Sequence, residues 1–550
     1  MKLKFFPSLL LFSLVSLYGL SQDVQLAWNM NQLGYHSIKL DPSDHSILPW
    51  YNDNPAIAYD FVIKKIWDFW ESMRRDMNGL PYYMNHQVWQ PDFNDWRGIG
   101  GDQFAMALSS WQLLYNYTGN ESVKENMKFI ADYYLTHSLS PSNAVWPHIP
   151  YPYNTLIYSG VYDGDMILGK DITQPDKAGS FGFELTKLYK MTGFQGYLDH
   201  AVSIANTLAA HMKEGDNDNS PMPFRVNAIT GQIGRLKSNK GDGSDAGLAS
   251  YTTNYSGTLE LFLVLEKLNA GNPGAYRKAF NLLLSWMKKY PLKTNKWGPF
   301  FEDIPGWSDT QINAVTFAQF IMNHREYFPD WGKEVAGIFD WVYKTLENKE
   351  WEKYGVIVVN EQTAYQVPGN SHTSRQASTE LQYIALTGDS SRYLNVVRQL
   401  NWATYMVDWD GKNRYPRDDV WMTDGYGDYV RHYLRAMAVD PRLSPSNENH
   451  ILFSTTILSR VRYRDGINKF SIPEIDEKQV SRALISYFTF DTESEEVIRM
   501  TMKPSSILVG EREILENSGN GDTWYWKSLP EGGGILTIRH VSGKHVIVLK

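Results

Sequence analysis

The sequence predicts a mainly helical protein: an (α/α)6 barrel of six helical hairpins over residues 22–438, a linker at 439–447, and an antiparallel β-sandwich over 448–550. Three observations carry this expectation. Two kinds of helical segment alternate up to residue 438; similar Gly-containing turns recur between them; and beyond Ala438 the hydrophobic period changes to two.

The first kind of segment is apolar on most sides: FAMALSSWQLLYNY, SFGFELTKLYKM, SGTLELFLVLEKL, INAVTFAQFIMNH, SRQASTELQYIAL and YVRHYLRAMAV. Such all-round burial suits an inner ring. The second kind is amphipathic: VKENMKFIADYYLTH, YLDHAVSIANTLAAHM, YRKAFNLLLSWMKKY, WGKEVAGIFDWVYKTL and SRYLNVVRQLNWATYMV. With the helix at Ala56–Asp76 these make six outer helices, each with one wet face. The turns NYTGNES, KMTGFQG, LNAGNPG, YFPDWG and ALTGDSS join inner to outer segments closely enough to form antiparallel hairpins. Closing the hairpins gives a ring; leaving them open gives a helical solenoid, the alternative architecture.

Each inner segment is preceded by a polar, aromatic, Gly-rich stretch: WRGIGGDQ, TQPDKAG, SYTTNYSG, PGWSDTQ, PGNSHTSRQ and MTDGYGD. In a hairpin ring these stretches share one end, so Asp102, Asp176, Asn254, Asp309, His372 and Asp424 should converge on one mouth. Any single Asp or Asn at such a position is ordinarily an N-cap that satisfies orphan N–H groups. Six of them on long loops argue for function as well as capping.

Past the Pro/Ser/Asn-rich VDPRLSPSNENH, the runs ILSRVRYRD, ALISYFTFD, EEVIRMTMK and GILTIRHV alternate as strands do, with turns at NSGNGD and EGGG. This is the expected sandwich.

Composition narrows the function. A net charge of -8 leaves no basic footprint for nucleic acid. The 19 Trp and 34 Tyr exceed what a core needs and point to a flat-faced ligand such as a sugar ring. The absence of cysteine excludes disulfides, thiolate metal sites, a cysteine nucleophile and a lipidated cysteine. MKLK followed by FFPSLLLFSLVSLYGL reads as a signal peptide over residues 1–21, so export to the periplasm or beyond is expected, with no membrane span afterwards. A retained anchor is the alternative, but the apolar run is shorter than the roughly 20 residues needed to span. DNDNS and YDGDM carry oxygen ligands without the calcium-loop pattern, and GIGG lacks the Lys-Ser/Thr of a phosphate loop. No metal or cofactor is expected.

Glycosidic cleavage needs two carboxyl groups about 5–9.5 Å apart, one an acid and one a base or nucleophile. The preferred pair is Asp309 with Asp424, each leading into an inner helix and flanked by Trp307 or by Trp421 and Tyr426; Glu302 and Asp303 are the next candidates for the acid. Asn370, His372 and Arg375 arrive together in PGNSHTSRQ, as a clamp on a sugar carboxylate or as the machinery of an eliminating lyase. Arg97, Lys177, Arg414 and Arg417 add cationic donors whose ordinary reading is surface pairing, and Trp96, Trp146, Tyr151, Tyr153, Trp307 and Trp421 offer stacking faces. The expected sugar contacts are Trp96, Arg97, Asp102, Trp307, Asn370, Arg375, Arg417, Trp421 and Tyr426.

The blocks GIGGDQFAMALS, YPYNT, QPDKAGSFGFEL, YTTNYSGTLELF, GPFFEDIPGWSDTQINA, VNEQTAYQVPGNSHTSRQ and YPRDDVWMTDGYGDYVRHYLRAMA resemble the six-hairpin (α/α)6 carbohydrate-active enzymes exported by glycan-degrading Gram-negative bacteria. The chain is similar to glycoside hydrolase family 154, which implies exo-acting β-glucuronidase activity on uronic-acid-containing glycans. No catalytic residue is carried over from that family. Asn370-Ser371-His372 also resembles the Asn/His motifs of toroidal polysaccharide lyases, without their doubled Asn. A lyase using His372, Asn370, Arg375 and a tyrosine is therefore the alternative activity, and a glycan-binding toroid that depends on Trp96, Trp307 and Trp421 is a second alternative.

Overall fold

The computed structural model describes residues 32–33, 36–85, 101–156, 159–301, 305–413, 423–464, 482–519 and 521–550. Among them are twelve long helices: α1 (Pro55–Glu71), α2 (Gly101–Thr118), α3 (Glu121–His137), α4 (Pro175–Thr192), α5 (Gln195–His211), α6 (Ser256–Lys267), α7 (Pro273–Lys289), α8 (Gln311–Asn323), α9 (Trp331–Leu346), α10 (Asn370–Thr387), α11 (Tyr393–Thr404) and α12 (Thr423–Val439). The even-numbered helices pack side by side in the order α2, α4, α6, α8, α10, α12 and back to α2. The ring is closed, as expected, and the open solenoid is excluded. Each odd-numbered helix packs outside an inner one, with α1 against α12.

Contacts between neighbouring inner helices join similar positions along each helix. Asn254, just before α6, donates to Asp176 at the start of α4 (2.9 Å), Gln311 of α8 donates to the His372 carbonyl of α10 (3.2 Å), and Ser110 of α2 donates to the Gly427 carbonyl of α12 (2.5 Å). The inner helices therefore run parallel, and their N-termini share one end. Two glycines permit the closeness of α4 and α6. A Cβ on Gly179 would lie 2.0 Å from Thr258 Oγ1, and one on Gly257 would lie 2.7 Å from the Ser180 Cα.

The recurring TG turns are helix stops. Gly119, Gly193 and Gly388 take φ of +65°, +73° and +78°, and their N–H groups close onto the carbonyls of Tyr115, Tyr189 and Ile384. Side-chain caps follow on outer helices: Asn54, Asn120 and Asn272 cap α1, α3 and α7. The inner helices α4, α6, α8 and α10 have no side-chain cap. Capping is thus not what the polar residues before these four helices do.

Nine strands follow among the described residues: β1 (His450–Ser454), β2 (Leu458–Tyr463), β3 (Ala483–Thr489), β4 (Ser494–Met500), β5 (Ser506–Val509), β6 (Arg512–Glu516), β7 (Thr523–Ser528), β8 (Gly534–His540) and β9 (His545–Leu549). Their order is β1-β4-β8-β7-β6-β5-β9-β3-β2, antiparallel except at β6–β7. Strands β3 and β4 are far apart in that order, yet Tyr487 of β3 donates to Glu496 of β4 at 2.8 Å. The sheet therefore folds over on itself, and Ile485, Ile498, Leu536, Ile538, Val546 and Val548 fill its inside. This domain docks on the last turn of α2 and the first turn of α3: Lys124 of α3 donates to the Ser459 carbonyl, the Val461 N–H reaches Tyr115 of α2, and Tyr463 donates to the Asn116 carbonyl. It sits at the end of the barrel away from the inner-helix N-termini. No helix among the described residues is long and apolar enough to cross a membrane.

Candidate active site in the barrel

The mouth begins with α4 and α6. Asp176, at the second position of α4, is fully buried and accepts from Asn254, so one carboxylate serves two helix starts. Beside it Lys177 donates to the Phe300 carbonyl at 2.6 Å and stands 3.4 Å over the Phe300 ring. The positive ends of four parallel helices that lack side-chain caps face the same region, which favours oxygen-rich or anionic ligands.

Asp309 lies on the rim. Its Oδ1 accepts the N–H groups of Trp297 (2.8 Å) and Gly298 (2.9 Å), and its Oδ2 accepts the Trp307 indole N–H (3.0 Å). This carboxylate holds the bend at 297–298 and aims the indole. Trp307 is 42% exposed, tilted beside Tyr251 at 5.3 Å, with Lys296 Nζ 5.0 Å from its ring. Asn239, in the loop between two short strands (Arg235–Lys237 and Asp245–Leu248), donates to the Trp307 carbonyl at 2.8 Å. The predicted stacking face is therefore presented on a supported loop.

Inside the mouth, His372 is buried under Phe301, with ring centroids 5.7 Å apart. Among the described residues neither ring nitrogen has a hydrogen-bond partner; Glu361 Oε1 is 3.5 Å from Nδ1. Burial, reinforced by the Arg375 charge, holds its ionisation far below the usual histidine value, so the ring is neutral. Arg375 was expected at a sugar carboxylate. Its guanidinium instead donates to Gln311 (2.7 Å) and to Asp428, inside the ring between α8, α10 and α12. Asp428 also takes Arg431 and His432. Burial would raise Asp428, but the two guanidinium charges outweigh it and hold the carboxyl well below its usual range.

Tyr426 corrects an expectation. It is fully buried against Phe69 (5.3 Å, stacked) and Trp70, and its hydroxyl accepts the Asn413 N–H. The phase of α12 turns position 426 outward toward α1, so it is a core aromatic and not a sugar contact. Trp146, stacked on His211 at 4.0 Å, and Tyr151 and Tyr153 are likewise buried. Trp96, Arg97, Glu302, Asp303, Arg414, Arg417 and Trp421 lie outside the described residues, as do the side chains of Asp102, Asn370 and Asp424. The Asp309–Asp424 separation lies outside them too.

Sequence reasoning missed the lumen. A cavity of about 250 Å³ runs inside the ring, walled by α2, α4, α6, α8 and α12. Its charged lining is Lys177, Glu184, Lys187, Glu260, Arg431 and Arg435. The signal was present: Lys177, Ser180, Glu184 and Lys187 are spaced 3, 4 and 3 apart on an otherwise apolar helix, a polar stripe that marks the lumen face.

No family model and no curated protein matches the sequence. Solved structures do match the helical part. Cellobiose 2-epimerase from Spirochaeta thermophila DSM 6192 superposes with a TM-score of 0.52 at 11% identity, over 71% of this chain and 96% of that one. A sugar epimerase from a ruminal bacterium gives 0.50 at 11%, over 70% and 98%, and a D-mannose isomerase gives 0.50 at 12%, over 70% and 99%. At such identities the likeness is one of fold, and the helical domain of this chain has the six-hairpin toroid fold of these sugar enzymes.

Proposed function

We propose that this chain is a carbohydrate-active enzyme, and specifically an exported glycoside hydrolase that removes a uronic acid from a glycan end, as the resemblance to family 154 β-glucuronidases implies. One observation carries the reading: uncapped inner-helix N-termini, buried polar side chains and an exposed indole on a supported loop converge at one end of a closed toroid. The names of the proteins with like fold, a cellobiose epimerase and a mannose isomerase, agree with a sugar as the ligand.

The chemistry follows from the carboxylates. With N–H donors on both oxygens, Asp309 is arranged as an acceptor and suits the base or nucleophile. The acid that protonates the leaving oxygen then falls to Asp424, Glu302 or Asp303. Trp307 stacks on the sugar, while the positive helix ends favour its carboxylate.

A lyase is the second reading, favoured by His372: its imidazole is neutral and its nitrogens have no hydrogen-bond partner among the described residues, which leaves a lone pair to take a C5 proton. Incubation with β-glucuronides and uronate-rich oligosaccharides separates the two. Saturated uronic acid without absorbance from a new double bond supports hydrolysis; growth of that absorbance supports elimination and overturns the hydrolase.

A further inference from the structure

The lumen cavity opens away from the mouth. Its walls at mouth level, Met106, Lys177, Phe300 and Ile312, are all buried, and Met106, Phe300 and Ile312 form an apolar plug with Phe301 against it. Toward the C-terminal ends of the inner helices the lining becomes wet: Lys187, Glu260, Gln319 and Arg435 are half-buried, and Asn323 is exposed. The plug therefore separates this space from the mouth.

Its charges are incompletely matched. Lys187 pairs with Glu184 at 2.8 Å, His324 with Glu260 at 2.9 Å, and Arg431 with Asp428. Arg435, one turn beyond Arg431, has no hydrogen bond or ion pair among the described residues. Burial and the adjacent Arg431 pull its ionisation down to about 9, as expected for a guanidinium without a counter-charge of its own. On the same walls, Glu184 Oε2 and Arg431 Nε are buried without hydrogen-bond partners among the described residues.

These groups make complementary demands. Arg435 and Arg431 Nε call for an anion, and Glu184 Oε2 calls for a hydroxyl donor. Ser109, Ser180, Thr316 and Gln319 add neutral polar contacts around them. At about 250 Å³ the space is just below the 300–1,000 Å³ usual for ligand pockets. A polymer would not fit; a single ring would.

We propose that the far end of the barrel is a second ligand site, which takes a monosaccharide-sized polyhydroxy carboxylate with its carboxylate on Arg435 and a hydroxyl on Glu184. The inference does not depend on the chain being a hydrolase, because binding is read without turnover.

The experiment is calorimetric titration of the full chain with D-glucuronate, D-glucose and inorganic phosphate, repeated on Arg435→Gln, on Thr316→Leu, which fills the cavity from α8, and on Trp307→Ala at the mouth. Glucuronate should bind at least tenfold tighter than glucose and tighter than phosphate. Arg435→Gln and Thr316→Leu should each weaken it at least tenfold, and Trp307→Ala should leave this binding in place. Arg435→Gln orphans no partner and should melt near the parent; if it does not, Thr316→Leu decides. Absence of glucuronate binding, binding indifferent to both lumen variants, or phosphate binding as tightly as glucuronate would overturn the site as proposed. Glucuronate bound through Arg435 by a chain that cleaves no glycan would uphold the site and sink the hydrolase reading.

Discussion

Arg375 of α10 and Asp428 of α12 form a buried ion pair inside the ring, and Arg375 reaches α8 as well through Gln311. Three of the six inner helices are thus tied by one guanidinium. Arg431 and His432 complete the surroundings of the carboxylate.

Asp428→Asn should therefore lose about 3–5 kcal/mol of stability, because it leaves two buried guanidinium groups without their charge partner. Urea denaturation measures it. A loss below about 1 kcal/mol, the range of exposed pairs, would mean that water already screens the cluster.

The same cluster sets a pH dependence. His372 and His432 are held neutral by burial, with ionisation far below the usual value, whereas the unfolded chain protonates them near 6.5. Protons bind the unfolded state more readily, so stability should fall as pH drops below about 6.5. The depressed Asp428 adds stability that is present above about 3.9 and lost on further acidification. His324 and His540 oppose the trend: burial would lower them, but Glu260 and Glu496 outweigh it and raise both, giving stability that fades as pH rises. His372 and His432, buried with no neutralising change of charge on folding, should dominate. Melting temperature should drop from pH 7 to 5, and His432→Gln should flatten the slope; a flat parent profile would contradict the assignment.

Gly179→Ala tests the ring's spacing. The new methyl would meet Thr258 Oγ1 at 2.0 Å, so a destabilisation of about 1–3 kcal/mol is expected. Thr258→Ala in the same chain should recover part of it. No recovery would place the strain elsewhere.

Trp307→Ala should leave the melting temperature nearly unchanged, since the indole is 42% exposed. Its loss should raise KM for the glycan that the proposed hydrolase cleaves about 2–10-fold, matching the ~0.5–1.5 kcal/mol of a stacked ring. A fall in kcat with KM unchanged would instead assign the indole to aiming Asp309.

Asp309→Asn keeps an acceptor for the Trp297 and Gly298 N–H groups while removing the charge. Turnover should fall by about 10²–10⁴-fold with the fold intact. Near-parental kcat would confine Asp309 to holding its loop.

The barrel was legible because its signals are local. SFGFELTKLYKM lies within Pro175–Thr192 and INAVTFAQFIMNH ends with α8 and its C-cap His324, and the TG turns between segments are left-handed helix stops. Which side of an inner helix faces the lumen was harder to read, since a helix buried on all sides has no wet face to fix its phase. Tyr426 was misjudged for that reason: it looked like a mouth aromatic and packs on Phe69. Arg375 was read by its motif, while its partner Asp428 lies 53 residues away on another helix. Which helices carry a side-chain cap was not legible either: Asn caps the outer α1, α3 and α7, while the outer α5, α9 and α11 lack a side-chain cap, as do the inner α4, α6, α8 and α10.

The bond from Ser110 to the Gly427 carbonyl closes the ring across 317 residues. Hairpins can form as they emerge, but the circle waits for α12, and contacts of such sequence separation are slow to find. Until then the flanks of α2 and α10 that receive α12 stay uncovered. Only with α12 in place between α2 and α10 is the lumen sealed from the sides.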